Sequence, residues 1–150
     1  MPSISRLQMT VVDFYSNAEP KLQVACQLAA KAVQQSLRVL ILAPDEGMAR
    51  AIDKLLWTFP ATGFLPHCKS DDRLAPETPV LIARTCEVIP HDDVLLNLGP
   101  EPPESFSRFQ RLIELVANED ADRQSARIRF RFYRDRGYEI RHHNLGHSGS

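Results

Sequence analysis

The chain lacks an excess of positive charge. Its 150 residues include 18 Lys and Arg against 19 Asp and Glu, which gives a formal net charge of -1 at pH 7. Proteins that wrap long nucleic-acid duplexes through phosphate contacts usually carry a strong basic excess. The charge balance therefore argues against such a protein and favours, at most, a local anionic partner.

Cysteine pairs and long apolar runs are also missing. The 3 cysteines, Cys26, Cys68 and Cys86, are far apart and form no CxxC motif. This usage predicts a reducing compartment rather than a disulfide framework. No apolar run approaches the roughly 20 residues that cross a bilayer, and the N-terminus lacks the apolar segment of a signal peptide. We expect a soluble, cytoplasmic protein.

Motifs that hold phosphates, metals or catalytic groups are absent as well. The first predicted strand is followed by SNAEPK, which contains neither GxGxxG nor GxxxxGK[ST]. Asp45 stands where a ribose-binding acid could stand, but without the loop it is better explained as a helix cap. His67, Cys86 and His91 have no fixed ligand spacing. We predict no catalytic site, cofactor or metal, and favour a binding or assembly domain.

What the chain does have is an alternation of strands and helices. The pattern predicts strands at 8–15, 38–43, 64–69, 79–84, 93–99, 108–117 and 138–143, with helices at 21–36, 46–59 and before Gly137. This order predicts one α/β domain over residues 1–150, with a frayed tail at 144–150. The fold class is a three-layer Rossmann-like fold, with a mostly parallel central sheet flanked by helices and no phosphate-binding loop.

The segment RIRFRFYRDRGYEIRHH, at 127–143, can be interpreted in two ways. Basic and apolar residues alternate as in a strand. However, acids at 119 and 120 suit a helix start, Gly137 suits a helix end, and the span between them is far longer than a typical strand of about 5–6 residues. We therefore predict a helix, on which Arg127, Arg131 and Arg134 form one stripe beside Phe130.

Basic residues are concentrated in this region. Between Arg123 and Arg141 there are seven arginines and two acids, Asp135 and Glu139. A solvated charged face is the ordinary explanation for such a run. The shared stripe, the adjacent aromatic ring and the scarcity of acids instead favour a peptide that carries acids and a terminal carboxylate. Single-stranded nucleic acid is a less specific alternative.

Four segments in this order and spacing resemble one known family. They are VDFY, RVLIL, IDKLLWTFPATGFLPH and ARIRFRFYRDRGYEI, and they resemble the chi subunit of bacterial DNA polymerase III holoenzyme over about residues 11–143. The resemblance implies a non-catalytic adaptor in DNA replication. Such an adaptor binds the psi subunit of the clamp loader and the acidic, Phe-terminated C-terminal tail of single-stranded-DNA-binding protein. It implies indirect contact with the clamp-loader complex and with single-stranded DNA, and no membrane partner.

The same resemblance implies which residues bind each partner. The tail site falls on Arg127, Phe130, Arg131 and Arg134, with Val116 as a wall. Many members of the family carry Tyr where Phe130 stands and Lys where Arg131 stands. The Tyr hydroxyl is absent here, and the Arg fork can pair with a carboxylate in a geometry that Lys does not share.

The psi surface is expected after the second helix, at Trp57 and Phe64. A second hypothesis of a different class is a nucleotide- or nucleic-acid-processing enzyme on a Rossmann-like scaffold. The two hypotheses make opposite predictions, because the adaptor binds the acidic tail peptide and no nucleotide, whereas the enzyme binds a nucleotide and not the peptide.

Overall fold

The computed structural model describes residues 9–58, 65–85 and 91–146, and these form one seven-stranded sheet with helices on both faces. The strands are β1 Val11–Ser16, β2 Val39–Leu42, β3 His67–Lys69, β4 Val80–Ala83, β5 Val94–Asn97, β6 Arg111–Val116 and β7 Glu139–Asn144. The helices are α1 Lys21–Gln34, α2 Glu46–Thr58 and α3 Asp120–Asp135. The strand order is β3-β4-β2-β5-β6-β1-β7, and every paired strand runs parallel to its neighbour.

The predicted elements are confirmed, most of them in a shorter form. The segment before Gly137 is a helix rather than a strand, and 108–117 contains β6. β3 covers only the last three residues of its predicted strand, and the start of that prediction lies outside the described residues. β7 ends at Asn144, one residue later than predicted, and residues 147–150 of the predicted tail also lie outside the description.

Two apolar layers separate the helices from the sheet. α1 and α2 cover one face, where small residues such as Ala25 and Ala29 allow α1 to approach the strands closely. α3 covers the other face. β6 shows how the two layers divide, because Leu112 and Val116 belong to the α3 layer while Ile113 and Leu115 belong to the α1 layer.

The ends of the helices follow from local chemistry. Asp45, predicted as a cap, accepts a hydrogen bond from the Met48 backbone N–H at 2.8 Å. α3 ends before Gly137, whose φ of 82° lies in the left-handed region that glycine adopts without steric cost. At the start of α3, Glu119 makes no capping bond through its side chain. Asp122, in the first turn, instead accepts from the Ala117 N–H at 2.7 Å.

The crossover through α3 positions the surface of interest. The chain leaves β6, passes over β1 through α3, and returns as β7 on the far side of β1. The carboxyl ends of these three strands therefore meet beside α3. No helix in the described residues is both long and apolar enough to cross a bilayer.

Candidate functional site

An open apolar groove of about 240 Å³ lies between α3 and the ends of β6, β1 and β7. Seven residues line it: Phe14, Val116, Arg123, Ala126, Arg127, Phe130 and His142. Most of the exposed lining is carbon, and no carboxylate is among these residues. An apolar cleft with a few charged groups at its rim is the usual form of a ligand or peptide site.

Three rings form one wall of the groove. Phe14 is buried, and its ring meets that of Phe130 edge-on at 5.9 Å with an interplanar angle of 68°. The His142 ring stacks on Phe14 at 6.2 Å and 26°, and its centroid is 5.5 Å from that of Phe130. Phe14 and His142 are register partners in neighbouring strands, which explains their contact. This geometry would give an inserted aromatic ring edge and face contacts at once.

The rim of the groove is basic, and its arginines differ in how they are paired. Arg123 donates to the Asp120 carboxylate at 3.0 Å. Arg134 pairs with a neighbouring acid at 3.1 Å and lies 5.9 Å from the Phe130 ring centroid. Arg127 and Arg131 are exposed and have no hydrogen-bond or ion-pair partner in the described part of the chain. Their guanidinium forks are therefore available to an external carboxylate.

The structure brings together part of the predicted set. Val116, Arg127 and Phe130 line one groove, and Arg134 lies against the ring of Phe130. Arg131 is exposed one turn further along α3 and does not line the groove. The part these residues play in binding stays a prediction.

Four lining residues were missed by the sequence analysis, namely Phe14, Arg123, Ala126 and His142. Arg123 lies one helical turn before Arg127, so the helical spacing that identified the stripe could have included it. Phe14 and His142 are on strands, and their place in the groove depends on the pairing of β1 with β7. No local pattern in the sequence reveals that pairing.

A buried ionic network holds α3 on the sheet next to the groove. Glu114 of β6 accepts from Arg129 Nε at 2.9 Å, from the Tyr133 hydroxyl at 2.5 Å and from Asn97 Nδ2 at 3.1 Å. Arg129 also donates to the Pro100 carbonyl at 3.1 Å. Arg129 thus anchors the helix on the sheet. It does not belong to the exposed basic surface, although it is one of the seven arginines of this region.

Burial and neighbouring charge shift the pKa of Glu114 in opposite directions. Burial raises the pKa of its carboxyl group, and the Arg129 guanidinium and the hydrogen bonds from Tyr133 and Asn97 oppose that rise. All three neighbours place a donor at the carboxyl oxygens, and the Arg129 guanidinium brings a positive charge to 2.9 Å from Oε1. The contacts therefore fit the ionised carboxylate. Burial and the adjacent carboxylate also raise the pKa of Tyr133.

A second buried acid lies on the opposite face of the sheet. Asp13 of β1 accepts from Arg111 at 2.9 Å, from Arg141 at 3.1 Å and from His143 at 2.9 Å. Burial alone would raise the pKa of Asp13, but the hydrogen bonds from His143 and Arg111 and the two guanidinium charges together lower it. Arg141 is therefore also committed to a buried acid.

Of the two residues predicted for the psi surface, the structure describes one. Trp57, near the end of α2, is 60% exposed, and its ring meets the His67 ring edge-on at 4.7 Å. Phe64 lies outside the described residues. Within the described ranges, no three His, Cys, Asp or Glu side chains are grouped so that they could hold a metal ion.

Comparisons with known proteins give one family. A family model described as "DNA polymerase III chi subunit, HolC" matches residues 9–141. The DNA polymerase III subunit chi of Pseudomonas aeruginosa is 41% identical over 141 residues, which cover 91% of this chain and 98% of that protein. The Escherichia coli protein of the same name is 32% identical, covering 87% of this chain and 88% of its own, and that of Haemophilus influenzae is 31% identical, covering 83% and 87%.

Proposed function

Because this chain belongs to the family of DNA polymerase III chi subunits, we propose that it is a non-catalytic adaptor of the clamp-loader assembly. In this proposal it binds the acidic C-terminal tail of single-stranded-DNA-binding protein on one surface and the psi subunit on another. It thereby couples the clamp loader, in the cytoplasm, to DNA that is already coated with that protein. Contact with the DNA itself is indirect.

The groove beside α3 is the observation that carries this proposal. The last residue of the tail joins an apolar ring to a carboxylate, and acids precede it. The groove offers an apolar floor at Phe14, Val116 and Phe130 to the ring. Arg127 and Arg131 stand one helical turn apart on the adjoining helix, and neither is paired with an acid in the part of the chain that the structure describes. The terminal ring of the tail and its carboxylates therefore have complementary groups on one surface of the protein.

The two kinds of contact contribute differently. An exposed ion pair stabilises a complex by about 0–1 kcal/mol, whereas a buried aromatic anchor contributes about 2 kcal/mol or more. The terminal ring should thus supply most of the affinity, about thirtyfold at 1.4 kcal/mol per decade. The arginines should supply orientation and encounter rate, and their contribution should fall with salt because the Debye length is about 8 Å at physiological ionic strength.

The psi surface is proposed at the other edge of the sheet. Trp57 is on α2, which packs against β3 and β4, whereas the groove lies at β1 and β7. An exposed tryptophan is a frequent anchor in protein interfaces. The separation of the two surfaces supports simultaneous binding of both partners, which a linking function requires.

The test is a titration of the labelled tail peptide, with and without its terminal Phe, into the wild type and three variants at two salt concentrations. Arg127→Ala and Arg131→Ala should each weaken binding about threefold or more at low salt and less at high salt. Arg73→Ala is the matched control, because Arg73 is exposed, has no partner in the described residues and lies near the opposite edge of the sheet. Deletion of the terminal Phe should cost about thirtyfold in the wild type.

Two results would favour another function. If Arg127→Ala and Arg131→Ala bind the peptide normally but lose affinity for bare single-stranded DNA, the stripe contacts phosphates directly. If the wild type ignores the peptide but binds a nucleotide saturably at micromolar concentration, the enzyme hypothesis is the better one.

A further inference from the structure

His142 differs from the other described histidines in its polar contacts. Four histidines lie in the described part of the chain. His67 and His91 bond to backbone carbonyls through a ring nitrogen, at 2.8 and 2.6 Å, and His143 bonds to a carboxylate at 2.9 Å. Among the described residues, the His142 ring nitrogens meet no hydrogen-bond or ion-pair partner. Its ring instead stacks on Phe14 and contacts Phe130.

Its position makes this ring part of the candidate site. His142 is exposed, lines the groove from the β7 side and stacks on Phe14 at the floor. Arg127 lines the groove from the α3 side. A peptide residue whose ring entered the groove would thus have one basic group on either side of it. The groove is open enough for an external group to reach both.

Among the described residues that line the groove, the charged side chains beside His142 are all cationic. From α3 these are Arg123 and Arg127, which line the groove, and Arg134 over the Phe130 ring. β1 and β6 contribute only uncharged residues to the lining, Phe14 and Val116. On β7 itself the two neighbours of His142 in sequence contact Asp13, on the other face of the sheet. A bound carboxylate would therefore be an acidic partner for His142 in a groove whose lining has none.

We infer that His142 is a further binding residue of this groove, one that pairs with the terminal α-carboxylate of the tail. The inference rests on the proposed function. The α-carboxylate is joined to the terminal ring through two carbon atoms, so with the ring in the groove it can reach only the groups at the groove's rim. The side-chain carboxylates come earlier in the tail and can extend to Arg127 and Arg131 along α3. Arg127 and His142 face the terminal charge from opposite sides of the groove, and His142 supplies the donor on the β7 side.

A pH-dependent affinity follows from this pairing. Binding of the carboxylate stabilises the imidazolium, so the complex takes up protons that the free protein lacks. By linkage, affinity rises as pH falls through the range in which imidazole titrates, around pH 6–7. One proton can change affinity by at most tenfold per pH unit. We expect a three- to tenfold gain between about pH 8 and about pH 6, where the tail acids stay ionised.

The experiment measures fluorescence anisotropy of two tail peptides across this pH range, one with a free C-terminus and one amidated there. His142→Gln keeps a hydrogen-bond donor but cannot titrate, and His142→Phe keeps the ring. His143→Gln is the matched control, because His143 is adjacent in sequence but contacts Asp13 on the opposite face. The wild type and His143→Gln should show the gain with the free carboxylate. Both His142 variants, and the amidated peptide with every protein, should give flat profiles.

Three results would overturn the inference, and only one of them touches the proposed function. If His142→Gln keeps the wild-type pH profile, or the amidated peptide keeps it, the α-carboxylate is held elsewhere although the tail still binds. If His142→Gln binds the peptide with the same reduced affinity at every pH, and His142→Phe has the wild-type affinity at every pH, the His142 ring contributes only apolar contact. If no protein binds either peptide at any pH, the proposed function fails together with the inference.

Discussion

Replacement of Arg129 by methionine would test how α3 is held on the sheet. The Arg129 side chain is 2% exposed and its partner Glu114 is fully buried. In Arg129→Met the carboxylate keeps the donors Tyr133 and Asn97 but loses its only cationic neighbour in the described structure. The Pro100 carbonyl loses its guanidinium donor as well. An uncompensated buried charge would remain under the helix that forms the groove.

The expected cost is large for a single substitution. Removal of one partner of a buried ion pair destabilises a protein by about 3–5 kcal/mol, because the other charge is left desolvated. For a chain of this length 1 kcal/mol corresponds to about 2–4 °C in Tm, so Tm should fall by about 6–20 °C. Native domains are stable by about 5–15 kcal/mol, so a wild type in the middle of that range leaves the variant folded at room temperature.

Urea unfolding followed by circular dichroism gives the free energies. Arg127→Met is the matched control, because it changes an exposed arginine on the same helix and should shift the free energy of unfolding by less than about 0.5 kcal/mol. A triple variant that combines Arg129→Met with Glu114→Leu and Tyr133→Phe removes both buried charges and the Tyr133 hydroxyl, while Asn97 keeps the Glu101 carbonyl as an acceptor. It should be more stable than Arg129→Met alone, because no buried charge is left without a partner. A loss below about 1 kcal/mol in Arg129→Met, or a triple variant less stable than the single one, would refute this account.

Two further predictions concern acid stability and the psi surface. The lowered pKa of Asp13 keeps its carboxylate ionised in the folded protein at a pH at which the unfolded chain already binds a proton. The ionised Asp13 therefore stabilises the folded state, and the wild type loses this stability as pH falls below about 4. Asp13→Asn should be less stable at pH 7 by up to about 3 kcal/mol, and urea unfolding from about pH 7 to 3 should show a shallower acid loss, whereas an unchanged slope would contradict the assignment. Trp57→Ala and Phe64→Ala should each weaken psi binding in a pull-down or titration while changing the free energy of unfolding by less than about 1 kcal/mol. A loss of several kcal/mol would place the altered side chain in the core.

The fold was largely predictable because its strands and helices differ in length and in how they end. β2, β4 and β5 are short apolar runs buried on both faces, as parallel strands between helices must be. The alternation of Arg and Phe after residue 126 was the main ambiguity. Helix ends decided it correctly, since Gly137 adopts the positive φ that terminates α3.

The site was only half predictable, for a geometric reason. Residues on one helix share a face by periodicity, so Arg127 and Phe130 could be placed together from sequence alone. Phe14 and His142 are far apart in sequence, and only the order of β6, β1 and β7 brings them to the same groove. The burial of Arg129 was missed for a similar reason, because its partner Glu114 lies in a strand whose two faces are both covered.

Buried acids decide which arginines remain available at the surface. Arg129 and Arg141 are drawn to Glu114 and Asp13, which lie in adjacent strands but face opposite sides of the sheet. Near the surface, the first and last turns of α3 provide acids for Arg123 and Arg134.

Arg127 and Arg131, in the middle of α3, pair with no acid among the described residues. Asp135 lies one helical turn after Arg131 but is paired with Arg134. The guanidinium carbon of Arg136 lies 3.5 Å from the centroid of the Phe132 ring, and Arg136 donates to the Phe132 carbonyl. A chain without net positive charge can in this way present a locally basic surface, because its buried acids pair with Arg129 and Arg141 rather than with the exposed arginines. Loss of Glu114 should therefore lower the stability of the protein and also alter the groove. Arg129 would lose its buried partner, and the position of α3 would be less firmly fixed.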